Sequence, residues 1–217
     1  MENLIEAVVS LQERLQRAGI PSVVVGGLAL SVWGEPRATR DVDVRVLLGR
    51  DEAHRLLSAL ADEYALLADE PLETLRKMGF LFVQDRTGVR LDLLLADTDF
   101  DRKVVERARP VEIAPGKVIL VCSAEDLLIY KWISTHPRDD ENAASIVHRQ
   151  GDALDDAYIQ HWLEQLERAL DDSTGLSPAL LWVLAPSSRA TAHSCPTGGL
   201  HGPLAASAIR THQYKLD

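Results

Sequence analysis

Two acidic residues separated by a single residue, Asp41 and Asp43, are the pair in this sequence whose spacing best suits metal-dependent chemistry. In a β-strand, residues i and i+2 point to the same face, so the two carboxylates would project together. Like charges this close repel one another unless a cation lies between them, and hard oxygen ligands suit Mg²⁺. The pair therefore predicts a divalent-metal site.

A glycine pair precedes these carboxylates in the chain. Gly26 and Gly27 follow the apolar run Val23-Val24-Val25 and open a short apolar segment typical of a helix. Glycines at a strand-to-helix turn let backbone N–H groups approach a phosphate closely. A phosphate cradle beside a metal-binding pair of carboxylates is what phosphoryl or nucleotidyl transfer requires.

The order Gly-Gly, Arg37, Thr39, Asp41, Asp43 resembles the signature of the minimal nucleotidyltransferase superfamily. The chain as a whole resembles the single-domain nucleotidyltransferases of AbiE/MenT-type toxin–antitoxin systems. This resemblance implies an α+β fold of the polymerase-β-like kind, in which a mixed sheet is flanked by helices and C-terminal helices follow. The alternative reading of the same residues is a turn and a solvated acidic strand.

The resemblance also implies roles for individual residues. Asp41 and Asp43 would hold Mg²⁺, with Mn²⁺ as the alternative ion. Asp92 would supply a third metal-binding carboxylate and help to deprotonate the attacking hydroxyl, and Lys131 would neutralise charge on the departing pyrophosphate. We assign substrate contacts to a second set of residues, namely Gly26, Gly27, Arg37, Thr39, Arg40 and Asp139.

Asp92 lies in a strand-like run, Val89–Leu95, that is otherwise apolar except for Arg90. The turn Asp85-Arg86-Thr87-Gly88 joins this run to Phe80–Gln84, which predicts a β-hairpin. A buried aspartate is unfavourable unless it is paired or coordinates a metal. Asp92 is therefore predicted to be a metal ligand, and an ion pair with Arg90 is the alternative.

The segment after Lys131 matches the family pattern only in part. Lys131 and Asp139 stand where the pattern has lysine and aspartate, and Arg138 keeps the charge of a lysine. His136 stands where arginine is usual, and Asn142 stands where a second acid is usual. On its own, Lys131 would be read as a solvated lysine at a helix C-terminus, where it suits the helix dipole.

The reaction partners follow from the resemblance alone. It implies an NTP as the donor, the 3′ end of a tRNA as the acceptor and a cognate antitoxin as a protein partner. One alternative is AMP transfer to a protein hydroxyl, and another is a non-catalytic binding or antitoxin-like module of the same fold. The set of acidic residues and Lys131 disfavour the non-catalytic module, because an unused cluster of like charges only lowers stability.

Charge and composition limit the class of protein. A formal net charge of −10 argues against a broad electrostatic grip on nucleic acid. Four arginines, Arg37, Arg40, Arg45 and Arg50, are nevertheless expected around the site. The sequence has no apolar stretch long enough for a membrane span and no secretory signal, which predicts a cytoplasmic protein without a membrane partner.

The pattern of apolar residues predicts the elements that position these residues. We expect helices over 3–18, 51–63, 99–107, 124–134, 139–148 and 155–170, and strands around each of the carboxylates. The polar interval 70–79 is predicted to be a solvated loop. Residues 1–122 are predicted to form the nucleotidyltransferase core, 123–185 a helical part packed on it, and 186–217 a flexible tail.

Overall fold

A computed structural model of the protein describes residues 2–134 and 138–169. The predicted tail over 186–217 and the position of His136 lie outside these residues. Contacts within the chain define two compact units, whose boundary falls between Ser123 and Ala124. The first unit contains every strand found in the described residues, and the second contains helices.

Seven strands of the first unit form one mixed sheet: β1 (Ser22–Val25), β2 (Asp41–Val46), β3 (Ala65–Leu66), β4 (Phe80–Gln84), β5 (Arg90–Leu95), β6 (Arg109–Ala114) and β7 (Lys117–Val121). Their order across the sheet is β3-β4-β5-β2-β1-β7-β6. Strand β2 runs antiparallel to β1 and parallel to β5. The predicted α+β class with a mixed sheet is confirmed.

Helices account for most of the remaining described residues. The first unit contains α1 (Glu2–Arg17), α2 (Gly26–Trp33), α3 (Ala53–Leu60), α4 (Pro71–Met78) and α5 (Asp99–Glu106). The second contains α6 (Ala124–Ile133), α7 (Asp139–Gln150) and α8 (Asp156–Ala169). Across residues 2–134 and 138–169, no helix has both the length and the apolar character needed to cross a membrane.

The two faces of the central strands differ in polarity. In β2, Val42, Val44 and Val46 are fully buried, whereas the alternating residues Asp41 and Asp43 are half-buried. This period of two places the valines in the hydrophobic core and leaves the carboxylates on the opposite face. The burial of the valines therefore fixes which face carries the polar site.

The predicted loop over 70–79 is wrong, because this segment forms helix α4. Pro71 occupies the first turn, where its missing N–H is tolerated, and Gly79 ends the helix in the left-handed region at φ 73°. Leu75 is the buried residue that holds the helix to the core. Leu72, Leu75 and Met78 do recur at helical spacing, but a segment of eight residues is too short for that pattern to separate a helix from a polar loop.

Arg50 does not join the candidate site as expected, because its partners lie at the end of α4. Its guanidinium donates to the backbone carbonyls of Arg76 and Lys77 at 3.0 and 2.8 Å. It also forms an ion pair with Asp97 at 2.6 Å. Arg50 therefore satisfies the carbonyls that a helix leaves without intrahelical partners at its C-terminus.

Candidate active site

The turn from β1 into α2 brings the backbone against a carboxylate. Gly26 has φ 63°, a left-handed conformation that side chains rarely adopt, and a Cβ placed on it would overlap the carboxylate of Asp43. Glycine is therefore required here both for backbone conformation and for close approach. The first backbone N–H groups of α2, which a helix leaves without intrahelical acceptors, begin at this point.

The sheet register places Asp43 and Asp92 on neighbouring strands. Asp43 pairs with Val25 of β1 on one side and with Asp92 of β5 on the other, and Asp92 pairs in turn with Phe82 of β4. We use the name carboxylate row for the four residues that follow one another across the sheet, namely Val25, Asp43, Asp92 and Phe82. Neighbouring strands lie about 4.8 Å apart, and residues in register share a face. Asp43 and Asp92 are thus adjacent on the face that also carries Asp41.

Thr39 connects the approach to β2 with both the glycine pair and Asp41. Its hydroxyl lies 3.1 Å from the backbone carbonyl oxygen and 3.2 Å from a carboxylate oxygen of Asp41, to either of which it can donate. A Cβ on Gly27 would stand 2.7 Å from this hydroxyl and 3.8 Å from the guanidinium of Arg37. Arg37 and Arg40 are both exposed. The segment before β2 therefore borders the start of α2.

Asp92 is held by Arg90, as the alternative interpretation of the sequence proposed. Arg90 donates to both Asp92 carboxylate oxygens, at 2.6 and 2.8 Å, and its central carbon lies 4.2 Å from the centre of the Phe82 ring. The hydrogen bond to Asp92 raises the pKa of Arg90, and the charges of Asp92, Asp41 and Asp43 act in the same direction. Arg90 is therefore a cation that interacts with Asp92, Asp41 and Asp43 in this structure.

The ion pair between Arg90 and Asp92 affects the predicted metal site. Within the described ranges, no three acidic, histidine or cysteine side chains are grouped as ligands of one metal ion. A physical reason lies in the bidentate ion pair, which turns the Asp92 oxygens towards the guanidinium of Arg90. The metal-binding assignment of Asp41, Asp43 and Asp92 stays a prediction.

Sequence reasoning missed the two aromatic residues beside this cluster. Phe80 and Phe82 are half-buried, and their rings lie 5.0 Å apart with an angle of 34° between the planes. Alternation in β4 predicts that both point to one face, but only the pairing of β4 with β5 shows that this face carries Asp92. The register of β4 against β5, which the sequence does not give, is the observation needed to place Phe80 and Phe82 on the face of Asp92.

In the helical unit, Lys131 and Asp139 form a buried ion pair. The Lys131 ammonium donates to an Asp139 carboxylate oxygen at 2.7 Å, and the Asn142 amide donates to the same oxygen at 2.9 Å. The side chains of Lys131 and Asp139 are 12% and 10% exposed, so water screens the pair only weakly. The roles of both residues in substrate binding stay predictions.

The pKa of Asp139 reflects two opposing effects. Burial by itself raises it, but hydrogen bonds from Lys131, Ser134 and Asn142 outweigh burial and hold the pKa below its ordinary value of 3.8. A carboxylate whose pKa is lower in the folded state stabilises that state at pH values above the unfolded pKa. This stabilisation is lost as the pH falls through the lowered folded pKa.

Asp139→Asn is therefore expected to lower the free energy of unfolding by about 2 kcal/mol at neutral pH, because it removes a charge-assisted hydrogen bond. The difference from the unsubstituted protein should shrink as the pH falls from the unfolded pKa of an aspartate, about 3.9, through the lower pKa of Asp139 in the folded protein. Urea unfolding at several pH values, followed by circular dichroism, measures this. The control is Asp140→Asn at the exposed neighbouring residue, and an Asp139→Asn effect that is the same at pH 3 and pH 7 would contradict the assignment.

Comparison with known proteins gives a family match over most of the chain. Residues 4–172 match the family described as "Nucleotidyl transferase of unknown function (DUF2204)". No curated protein matches the chain.

Three solved structures are similar at low sequence identity. An antigenic nucleotidyltransferase-like protein from Paracoccidioides brasiliensis is 17% identical, with a TM-score of 0.49, over 83% of this chain and 93% of that one. The antibiotic-resistance factor ANT(2″)-Ia in solution is 12% identical, with a TM-score of 0.49, over 76% and 95%. The lincosamide antibiotic adenylyltransferase LnuA, lincomycin-bound, is 13% identical, with a TM-score of 0.46, over 67% and 96%.

Proposed function

We propose a specific reaction for this chain, which belongs to the DUF2204 family of nucleotidyl transferases. The chain is thus an enzyme of the nucleotidyltransferase class, and the non-catalytic module considered from the sequence is set aside. In the proposed reaction, an NMP unit moves from an NTP to an acceptor hydroxyl in the presence of Mg²⁺. The observation that carries the proposal is the carboxylate row, which sets Asp43 beside both Asp92 and the glycine turn.

The residues present fit a divalent cation. Carboxylate oxygens are the donors that Mg²⁺ prefers, and two of them, from Asp41 and Asp43, lie on one face beside the start of a helix. The Arg90 guanidinium already acts as a cation among the same carboxylates, which supports their ability to hold positive charge. We assign the ion to Asp41 and Asp43, with Asp92 as the third carboxylate through the lone pairs that its hydrogen bonds from Arg90 leave free. Bound Mg²⁺ would supply neutralisation of phosphate charge.

The residues around the glycine turn suit the phosphates of the NTP. Gly26 and Gly27 allow the backbone N–H groups at the start of α2 to approach an anion, and the exposed Arg37 and Arg40 add positive charge. We propose that Thr39, whose hydroxyl borders Gly27, turns its proton from Asp41 to a phosphate oxygen when the NTP binds. On the basis of the sequence resemblance, Lys131 remains the proposed group that neutralises charge on the departing pyrophosphate, and Asp139 remains a proposed substrate contact.

The transfer itself exchanges one bond for another at the α-phosphorus. The acceptor oxygen forms a bond to this phosphorus, and the bond to the departing pyrophosphate breaks. The acceptor hydroxyl loses its proton, for which we propose Asp92 as the receiving group because it stands next to Asp43 in the carboxylate row. Positioning and electrostatic stabilisation carry such reactions, so no covalent enzyme intermediate is required.

For the acceptor, we propose the 3′ end of a tRNA, with a toxin role in the cell and a cognate antitoxin as partner. This part rests on the resemblance of the Arg37-to-Asp43 motif and of the Lys131 segment to the toxin nucleotidyltransferases. AMP transfer to a protein hydroxyl is the alternative acceptor chemistry.

Incubation of the purified protein with each labelled NTP, Mg²⁺ and total tRNA tests the proposal. We expect label in the tRNA band, its loss on addition of a chelator, and its return when Mg²⁺ or Mn²⁺ is added in excess, because the carboxylates need a cation to bind the triphosphate. Label on a co-purifying protein would favour the alternative acceptor. The proposed reaction is wrong if no NTP is bound or turned over with either ion.

A further inference from the structure

A guanidinium lies over one of two neighbouring aromatic rings in the first unit. The Arg90 central carbon is 4.2 Å from the centre of the Phe82 ring, and the tilted Phe80 ring lies 5.0 Å from the Phe82 ring, between their centres. The two hydrogen bonds to Asp92 fix one edge of the guanidinium. The Arg90 side chain is nevertheless 46% exposed.

We propose that the Arg90 guanidinium is an acceptor platform, on which the base of the acceptor's terminal nucleotide stacks. This inference rests on the proposed function and adds a residue that determines acceptor specificity. Asp92 and Phe82 immobilise the plane from its edge and from one face. A rigid plane loses little conformational freedom when a ligand stacks on it, and a flexible exposed arginine would lose more.

The position of Arg90 in the sheet indicates that its side chain contacts the acceptor and not the NTP donor. The glycine turn proposed for the NTP phosphates lies at the β1 end of the carboxylate row, beside Asp43. Phe82 of β4 lies at the other end of the row, beyond the carboxylate that is proposed to receive the acceptor's proton, and the Arg90 guanidinium lies over its ring. A group bound on Arg90 would therefore be next to Asp92, where the attacking hydroxyl has to be.

The chemistry of the platform fits the 3′ end of an RNA. Guanidinium planes and aromatic side chains stack on unpaired bases, which is the usual way that proteins bind single-stranded RNA ends. The charge of Arg90 is already paired with Asp92, so the feature that the platform offers to an RNA end is the plane and not a net positive charge. A serine or threonine hydroxyl on a protein would bring neither a base nor a phosphate to the platform.

Two RNA oligonucleotides that both end in a 3′-deoxy residue, so that no transfer occurs, provide the test. One ends in CCA and the other has an abasic terminal unit, and fluorescence anisotropy measures the dissociation constants with the full chain and Mg²⁺. We expect the unsubstituted protein to prefer the base-bearing end by about tenfold, since stacking on a side chain contributes about 1–3 kcal/mol per base. Arg90→Lys keeps the charge but loses the plane, and should reduce the preference to about twofold or less.

Two further variants separate stacking from charge and from misfolding. Phe82→Leu leaves Arg90 in place but removes the ring that supports it, and should also weaken the preference for the base. Arg102→Lys makes the same substitution at an exposed arginine on α5, and should keep the full tenfold preference. Circular dichroism spectra of the three variants provide the comparison of folding.

The inference is overturned if Arg90→Lys and Phe82→Leu both retain the preference, if the unsubstituted protein does not distinguish the two oligonucleotides, or if a tyrosine-bearing peptide binds in place of RNA.

Transfer assays distinguish failure of the acceptor platform from failure of the proposed reaction. Normal labelling of tRNA by Arg90→Lys, with an unchanged KM for tRNA, removes the platform and leaves the reaction intact. An absence of Mg²⁺-dependent NTP binding removes the reaction, and the oligonucleotide preference still reports on the platform.

Discussion

Asp43→Asn is expected to lower the rate of nucleotidyl transfer by at least about a thousandfold. The substitution keeps the size of the side chain and removes one negative charge from the centre of the carboxylate row, between Val25 and Asp92. Electrostatic stabilisation by a bound cation supplies several kcal/mol in such reactions, and about 1.4 kcal/mol corresponds to a factor of ten. Initial rates of label transfer to tRNA, with Mg²⁺ and then with Mn²⁺, measure the loss.

The matched control is Asp69→Asn, which removes the same charge from an exposed residue outside the candidate site. We expect it to transfer label at the normal rate. If both variants are equally active, Asp43 is not a metal ligand and the site assignment is wrong. If expression of the unsubstituted chain stops growth, Asp43→Asn should relieve this effect together with transfer, and a variant that remains equally inhibitory would separate toxicity from catalysis.

The local pattern around Asp41 and Asp43 allowed much of the candidate site to be predicted. A strand has a period of two, so a carboxylate pair one residue apart shares a face wherever the strand lies. Asp92 was recognisable because an acidic residue in an apolar strand needs a partner. Both arguments depend only on neighbours in sequence, and the structure agrees with the strand assignments on which they rest.

The register of the sheet could not be predicted in the same way. The pairing of Asp43 with Asp92 joins residues that are far apart in the chain, and a shift by one residue would turn Asp92 to the other face. That pairing is set by the packing of Val42, Val44 and their fully buried neighbours in β5, which local periodicity does not encode. The contact between Arg90 and Asp92 does not depend on that pairing, because residues two apart in β5 share a face, and the sequence already offered it as the alternative.

Helix α4 was not predicted from the sequence, for a different reason. Its boundaries follow ordinary capping chemistry, with Pro71 in the first turn and Gly79 after the last, but only Leu75 is buried. The carbonyls at its C-terminus are satisfied by Arg50, whose sequence position gives no sign of this contact. A helix of eight residues therefore escapes a periodicity argument that needs a longer window, even where its apolar residues have helical spacing.

Gly26→Ala should produce the second large loss of activity. Alanine at φ 63° is strained, and its Cβ would occupy the space of the Asp43 carboxylate. The backbone strain alone lowers the free energy of unfolding by about 1–2 kcal/mol. Displacement of Asp43 should in addition reduce transfer at least about a hundredfold, because misplacement of a catalytic group by about 1 Å has effects of that size.

Gly116→Ala distinguishes strain from crowding at the site. Gly116 has a similar φ of 72° in the turn between β6 and β7, but nothing lies within 4 Å of the position that a Cβ would take. This control should lose about 1–2 kcal/mol of stability, as measured by urea unfolding, and keep its transfer rate. Equal transfer rates for Gly26→Ala and Gly116→Ala would mean that Asp43 does not need its place against the β1–α2 turn. The role of that turn as the phosphate cradle would then fail as well, because the same close approach of backbone and carboxylate supports both assignments.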